Sequence, residues 1–209
     1  MCSQFQVQLP LHIVEAAFSH TRFPLRFPAG RPNIEPRETV TIGDTTAVVL
    51  GGDAGPELVT LPFAWKGPNG RPVFNFRSEG RDFSTSRRCL VPASGFFEFT
   101  DPQPGQKRKT RWRFTLAGET WFWFAGVVRD GGFALLTTAP GEDVGPYHDR
   151  QVVVLPPNRG LDWLDLSRPE GEVLRPLDRG SLAVARDFPP VEATLIWHRR
   201  GSARDRPAV

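Results

Sequence analysis

The chain of 209 residues has little of several things that would narrow its function. It holds two cysteines, Cys2 and Cys89, too few for a disulfide scaffold or a cysteine-rich zinc site. No apolar run approaches the roughly 18 residues that cross a bilayer. No basic segment followed by an apolar one opens the chain as a secretory signal. No His, Cys, Asp or Glu cluster has metal-ligand spacing, so neither a metal nor an organic cofactor is expected. Charge of one sign is also scarce: the formal net charge is +3, so a polyanion would have to be met by local clustering. Together these absences lead to the expectation of a soluble, monomeric protein in a reducing, cytoplasmic compartment, away from membranes.

What is present argues for a packed interior. Hydrophobic residues make up 39% of the chain, with 16 Phe and 6 Trp, which excludes global disorder. The 21 Pro and 20 Gly favour short strands and many turns over long helices. Basic side chains are nearly all Arg, the residue suited to bidentate phosphate contacts.

Along the chain, Phe5, Val7 and Leu9 alternate with glutamines, a strand signal. Residues 11–20 read as a short amphipathic helix, and 21–39 as irregular. Strands are expected over 40–50 and 58–65. In the segment from Val73 to Glu79, Asn75 and Arg77 lie two apart, hence on one face if extended. Residues 79–88 are expected to form a short helix capped by Ser78 or Asp82. Strands at 111–116, 121–128 and 133–138, separated by glycine turns, read as an antiparallel meander. An apolar strand at 152–155 and a helix at 156–166 containing Trp163 follow. The stretch from about 186 to 209 is weakly patterned apart from an apolar run, Ala193 to Trp197. The expected fold class is therefore α+β, one domain over 1–209, mainly antiparallel sheet with a few short helices.

The most informative stretch is Arg87 to Phe99, Arg-Arg-Cys-Leu-Val-Pro-Ala-Ser-Gly-Phe-Phe-Glu-Phe. It reads as a buried aromatic strand carrying one carboxylate, Glu98, on the same face as Phe96. A buried carboxylate needs a partner or a raised pKa. Two readings stay open: pairing with an Arg such as Arg87 or Arg88, or general acid–base work.

Cys2, Asn75-x-Arg77, Gly95-Phe96-Phe97-Glu98 and His148-Asp149-Arg150, in this order, resemble the SRAP family (SOS response-associated peptidase), which includes sensors of abasic sites in single-stranded DNA. The resemblance runs from residue 2 to about 185. It departs from the family pattern at Ser3-Gln4, at Leu61-Pro62-Phe63, at Phe99 and at Gln151-Val152. It implies a barrel-like core and an enzyme acting on single-stranded DNA that bears an abasic site. It further implies Cys2, Asn75, Glu98 and His148 as catalytic residues, with DNA contacts from Arg77 and Arg150.

The chemistry suits those types. An abasic sugar opens to an aldehyde. An N-terminal cysteine, exposed by removal of Met1, offers an α-amine whose pKa near ~7.7–8.0 leaves much of it unprotonated at neutral pH. The amine can form a Schiff base, and the adjacent thiol can close a thiazolidine ring. Glu98 would move protons, and His148, titrating near neutrality, would assist. Asn75 would hold the amine or sugar oxygens. The basic segment 107–113 is either a solvated hairpin tip or a stacking platform, with Arg111 and Trp112 as DNA contacts. Cys89 reads as a core thiol. Two other functions remain: a cysteine peptidase or amidohydrolase using Cys2 as nucleophile, and a non-catalytic single-strand-binding module.

Overall fold

The computed structural model describes residues 2–19, 21–52 and 54–190, and the apolar run at 193–197 lies outside them. The first half of the chain forms β1 (Gln4–Val7), α1 (Leu11–Ser19), β2 (Arg37–Thr41), β3 (Thr45–Leu50), β4 (Glu57–Pro62), β5 (Trp65–Lys66), β6 (Pro72–Val73), β7 (Asn75–Arg77) and β8 (Arg87–Ala93). The second half forms β9 (Gly95–Thr100), β10 (Thr110–Leu116), β11 (Phe122–Arg129), β12 (Gly132–Thr138), β13 (Gln151–Val152), β14 (Val154–Leu155), α2 (Gly160–Leu164), α3 (Glu170–Val173) and β15 (Leu182–Phe188).

Two open sheets pack face to face. One has the order β15-β10-β9-β1-β2; the other has β13-β12-β11-β8-β3-β4, with β14 on β11 and β7 parallel to β12. This is an α+β architecture dominated by antiparallel pairing, as the turn spacing suggests. The expected barrel is not formed: among the described residues the strand order of neither large sheet closes on itself. Nor is the chain a simple meander, since β8 and β9 belong to different sheets although only Ser94 separates them. The crossing works because Ser94 and Gly95 fit against β1. Ser94 donates its N–H to Gln6 O at 2.9 Å, and its Oγ accepts the Gln8 N–H at 2.9 Å. A Cβ on Gly95 would lie 3.0 Å from Gln6 Oε1 and 3.2 Å from Phe114 O, so a side chain there would push the neighbouring strands apart.

Aromatic rings fill the space between the sheets. Phe5 meets Phe63 and Phe124 edge-on, and Phe96 stacks on Phe114 with centroids 4.9 Å apart. Such pairs add roughly 0.5–1.5 kcal/mol each beyond area burial. Arg88 of the Arg87-Arg88-Cys89 motif is buried: it pairs with Glu170 at 2.7 Å, donates to Trp163 O and lies over the Trp163 ring. It thereby anchors the segment after β14 onto β8. Cys89 is fully buried, as a core thiol should be.

Three local expectations are corrected. Residues 79–88 form turns, not a helix: Gly80 takes φ +72, the Asp82 carboxylate accepts the Ser84 N–H, and the Phe83 N–H turns outward to Glu170. The apolar run 152–155 splits into β13 and β14, which pair with different strands. Strand β15 was not legible; it pairs with β10 along its whole length and runs to Phe188, into the stretch read as weakly patterned. None of the described helices is long and apolar enough to cross a membrane.

Candidate active site

The end of β9 positions the buried carboxylate. Phe96, Glu98 and Thr100 alternate onto one face, and the register sets Glu98 opposite Trp112 and Phe96 opposite Phe114. Glu98 is 1% exposed. Burial pushes its pKa up, to about 7 from an ordinary 4.5. Of the two readings open at the sequence level, this environment fits a titrating acid–base group, and Arg88 is committed elsewhere, to Glu170.

Cys2 lies near enough to this carboxylate to feel its charge. Its thiol is fully buried and donates to Gln4 O at 3.2 Å. Burial first, and the Glu98 charge second, push the thiol pKa far upward, so Cys2 is a neutral thiol. Asn75, at the start of β7, reaches across the sheets: its Nδ2 donates to Cys2 O at 2.9 Å. Asn75 Oδ1 is buried and has no hydrogen-bond partner among the described residues. An orphaned acceptor of that kind costs about 1–3 kcal/mol and is poised for a donor.

His148 closes the site from the loop before β13. Its Nε2 lies 3.9 Å from Glu98 Oε2, a charge-pair distance longer than a hydrogen bond. Its Nδ1 lies 3.0 Å from the Arg150 N–H and 2.8 Å from an Asp149 carboxylate oxygen. One nitrogen cannot accept from the first and donate to the second at once. The backbone N–H is fixed, whereas the Asp149 carboxylate is 88% exposed and free to turn into water, so Nδ1 is the acceptor. Burial holds the imidazole pKa below its usual value, which keeps the ring neutral with its proton on Nε2, facing Glu98. Glu98, Phe99, Lys109 and His148 line a pocket of about 230 Å³ at this point.

The structure brings Cys2, Asn75, Glu98 and His148 together, as the motif order implied. The predicted DNA contacts fare differently. Trp112 shares the Glu98 face, donates Nε1–H to Thr100 Oγ1 and packs on Tyr147. Arg111 alternates onto the opposite face, where it lies over Phe97 and pairs with Asp187. Arg150 is largely buried, and both of its terminal nitrogens bind Glu79. Arg77 is exposed and makes no ion pair among the described residues. Lys109, passed over within the basic segment 107–113, is the member of that segment that lines the pocket. Strand alternation could not have found it, since residue 109 precedes the strand and shares the parity of Arg111, which faces away from Glu98.

Comparisons with known proteins identify the family and the fold. The family model described as SOS response associated peptidase (SRAP) matches residues 1–189. Two curated relatives are the abasic site processing proteins YoqW and YoaM of Bacillus subtilis, 29% and 30% identical over 101 residues. That match spans 44% of this chain and 44% of each relative, so the alignment covers less than half of either protein. Solved structures from Bordetella bronchiseptica and Bacteroides thetaiotaomicron share the fold. Each has a TM-score of 0.62 over 88% of this chain, at 21% and 16% identity, covering 99% and 91% of those chains. With the family model matching nearly its whole length, the chain belongs to the SRAP family.

Proposed function

We propose that this protein processes abasic sites in single-stranded DNA by forming a covalent crosslink through Cys2. The observation that carries the reading is the closeness of Cys2 to the charge of Glu98. Cys2 feels the charge of a buried carboxylate whose pKa stands near 7, Asn75 holds Cys2 O, and His148 Nε2 stands 3.9 Å from that carboxylate. The names of the curated relatives support the same substrate.

Once Met1 is removed, the Cys2 α-amine adds to the C1′ aldehyde of the ring-opened sugar. The resulting carbinolamine loses water to give a Schiff base. The Cys2 sulfur then adds to the imine carbon, and the thiol proton goes to nitrogen, closing a thiazolidine. One water leaves overall, and nothing is oxidised or reduced. Glu98, balanced between its two protonation states at neutral pH, donates the proton that opens the sugar and expels water, and takes it back from the amine. His148, neutral with Nε2–H toward Glu98, offers that N–H to the carboxylate when Glu98 has given up its proton and so steadies the ionised form. Asn75 Oδ1 accepts from the amine, which answers its orphaned state. Arg77 and Lys109 meet the phosphates flanking the lesion, and Trp112 offers a ring beside the pocket.

A cysteine-peptidase reading is less well supported. Such enzymes stabilise a thiolate through a paired histidine or another positive neighbour. Here burial and a carboxylate hold the Cys2 thiol protonated. The test is a denaturing gel of Met-processed protein with a single strand carrying one abasic site, beside an intact strand and Cys2→Ala. A heat-stable shifted band is expected only for wild type with the abasic strand. Turnover of a peptide or amide without that band would favour the hydrolase instead.

A further inference from the structure

The sequence resemblance implied that Arg150 is a phosphate ligand, yet the fold gives it another occupation. Its Nη1 and Nη2 lie 2.6 and 2.7 Å from the two Glu79 carboxylate oxygens, a two-pronged pair. Nη2 also donates to Thr137 Oγ1 at 3.1 Å. Glu79 Oε1, the oxygen that meets Nη1, also accepts the Ala139 N–H at 2.7 Å. These contacts hold Glu79 firmly ionised, with a pKa lowered to about 2, chiefly by Arg150. Just before Glu79, Ser78 donates both its N–H and its hydroxyl to Thr137 O. The end of β7, the end of β12 and the loop carrying residues 148–150 are therefore joined at one point. At that point the Arg150 N–H bonds His148 Nδ1.

We propose that Glu79 is a positioning residue for the reaction at Cys2 and Glu98. By clamping the Arg150 side chain it fixes the Arg150 backbone, whose N–H keeps His148 Nδ1 an acceptor and its Nε2–H directed at Glu98. The inference rests on the reading of Glu98 as the proton-transfer group and of His148 Nε2–H as the donor that steadies its ionised form, and it assigns Arg150 to the scaffold instead of the DNA. A bidentate guanidinium–carboxylate pair suits this task because it fixes direction as well as distance. A misdirected imidazole would slow proton transfer without weakening the hold on DNA.

The test is Glu79→Gln, which keeps shape and an acceptor for Ala139 but sets an amide N–H against a guanidinium N–H. Three quantities are read: the crosslinking rate at saturating DNA, the affinity for an intact single strand, and the His148 tautomer from its imidazole nitrogen shifts. The rate should fall roughly 10- to 100-fold, the size of effect expected when a reacting group is misplaced. Affinity should stay within about twofold, because no phosphate contact is lost. The tautomer should shift from Nε2–H toward a mixture. Arg150→Lys, which keeps the charge but loses the fork, should reproduce all three, and the double variant should be no worse than either single one. Tighter DNA binding by Glu79→Gln with an unchanged rate would instead make Arg150 a phosphate ligand released from a counter-ion. A lower melting temperature with an unchanged tautomer would make the pair structural only; either result overturns the proposal. The tautomer measurement needs no DNA, so a protein that forms no crosslink still tests the positioning role separately from the proposed function.

Discussion

Glu98 should cost the folded protein stability, and removing its charge should give that stability back. The magnitude follows from its surroundings. The carboxyl is 1% exposed, and burial lifts its pKa from 4.5 to about 7. The unfolded chain releases this proton above about pH 4.5, whereas the folded chain holds it until about pH 7. The folded state therefore binds more protons across that window, and stability falls as pH rises through it. At about 1.4 kcal/mol per pH unit the loss amounts to about 3 kcal/mol above pH 7, and is nearly absent at pH 4.5. Glu98→Gln fills the same space without a charge to bury. Urea unfolding of wild type and variant at pH 4.5 and pH 8 measures the gap, and terms common to both cancel in the difference. The variant should be about 3 kcal/mol the more stable at pH 8, with little difference at pH 4.5, while losing the ability to crosslink. Equal stability gaps at both pH values would refute the reasoning, since Glu98 would then be ionised in the fold at no cost.

Three further predictions come from the cations. Arg88→Ala leaves Trp163 O and the Glu170 carboxylate without their buried partner, so it should lose roughly 3–5 kcal/mol by urea unfolding. Lys109→Ala removes the ammonium beside Glu98 and His148, and should flatten the plot of log affinity against log salt by about 0.7 for one lost single-strand phosphate contact. Arg111→Ala, on the opposite face and paired with Asp187, should leave that slope unchanged in the same salt titration.

Much of the site was legible because strand geometry is simple. Alternation alone set Glu98 beside Phe96 and apart from Phe97 and Phe99, and the structure has it so. The motif order assembled Cys2, Asn75 and His148 around it, although 73 positions separate Asn75 from Cys2 in the chain. What the sequence could not convey was which charges were already spent. Arg77 and Arg150 look alike as residues near the motifs, but one is exposed and the other is locked to Glu79. Arg111 and Trp112 are neighbours in the chain yet lie on opposite faces of the sheet, a distinction alternation would have revealed had the strand register been known. Strand β15 escaped because much of it faces solvent: of Leu182 to Val184 only Leu182 is buried, so no period-two signal stands out. The turn at 79–88 was misread because its capping residues serve turns as readily as helices.

The most direct test of the central account is the intact mass of the adduct. Met-processed protein is incubated with a single strand bearing one abasic site, denatured, and weighed. A thiazolidine at Cys2 predicts the sum of the two masses less one water, with the DNA mapped to the N-terminal residue and unchanged by borohydride. No adduct from protein whose N-terminal cysteine is verified, or one attached at any other residue, would contradict the account.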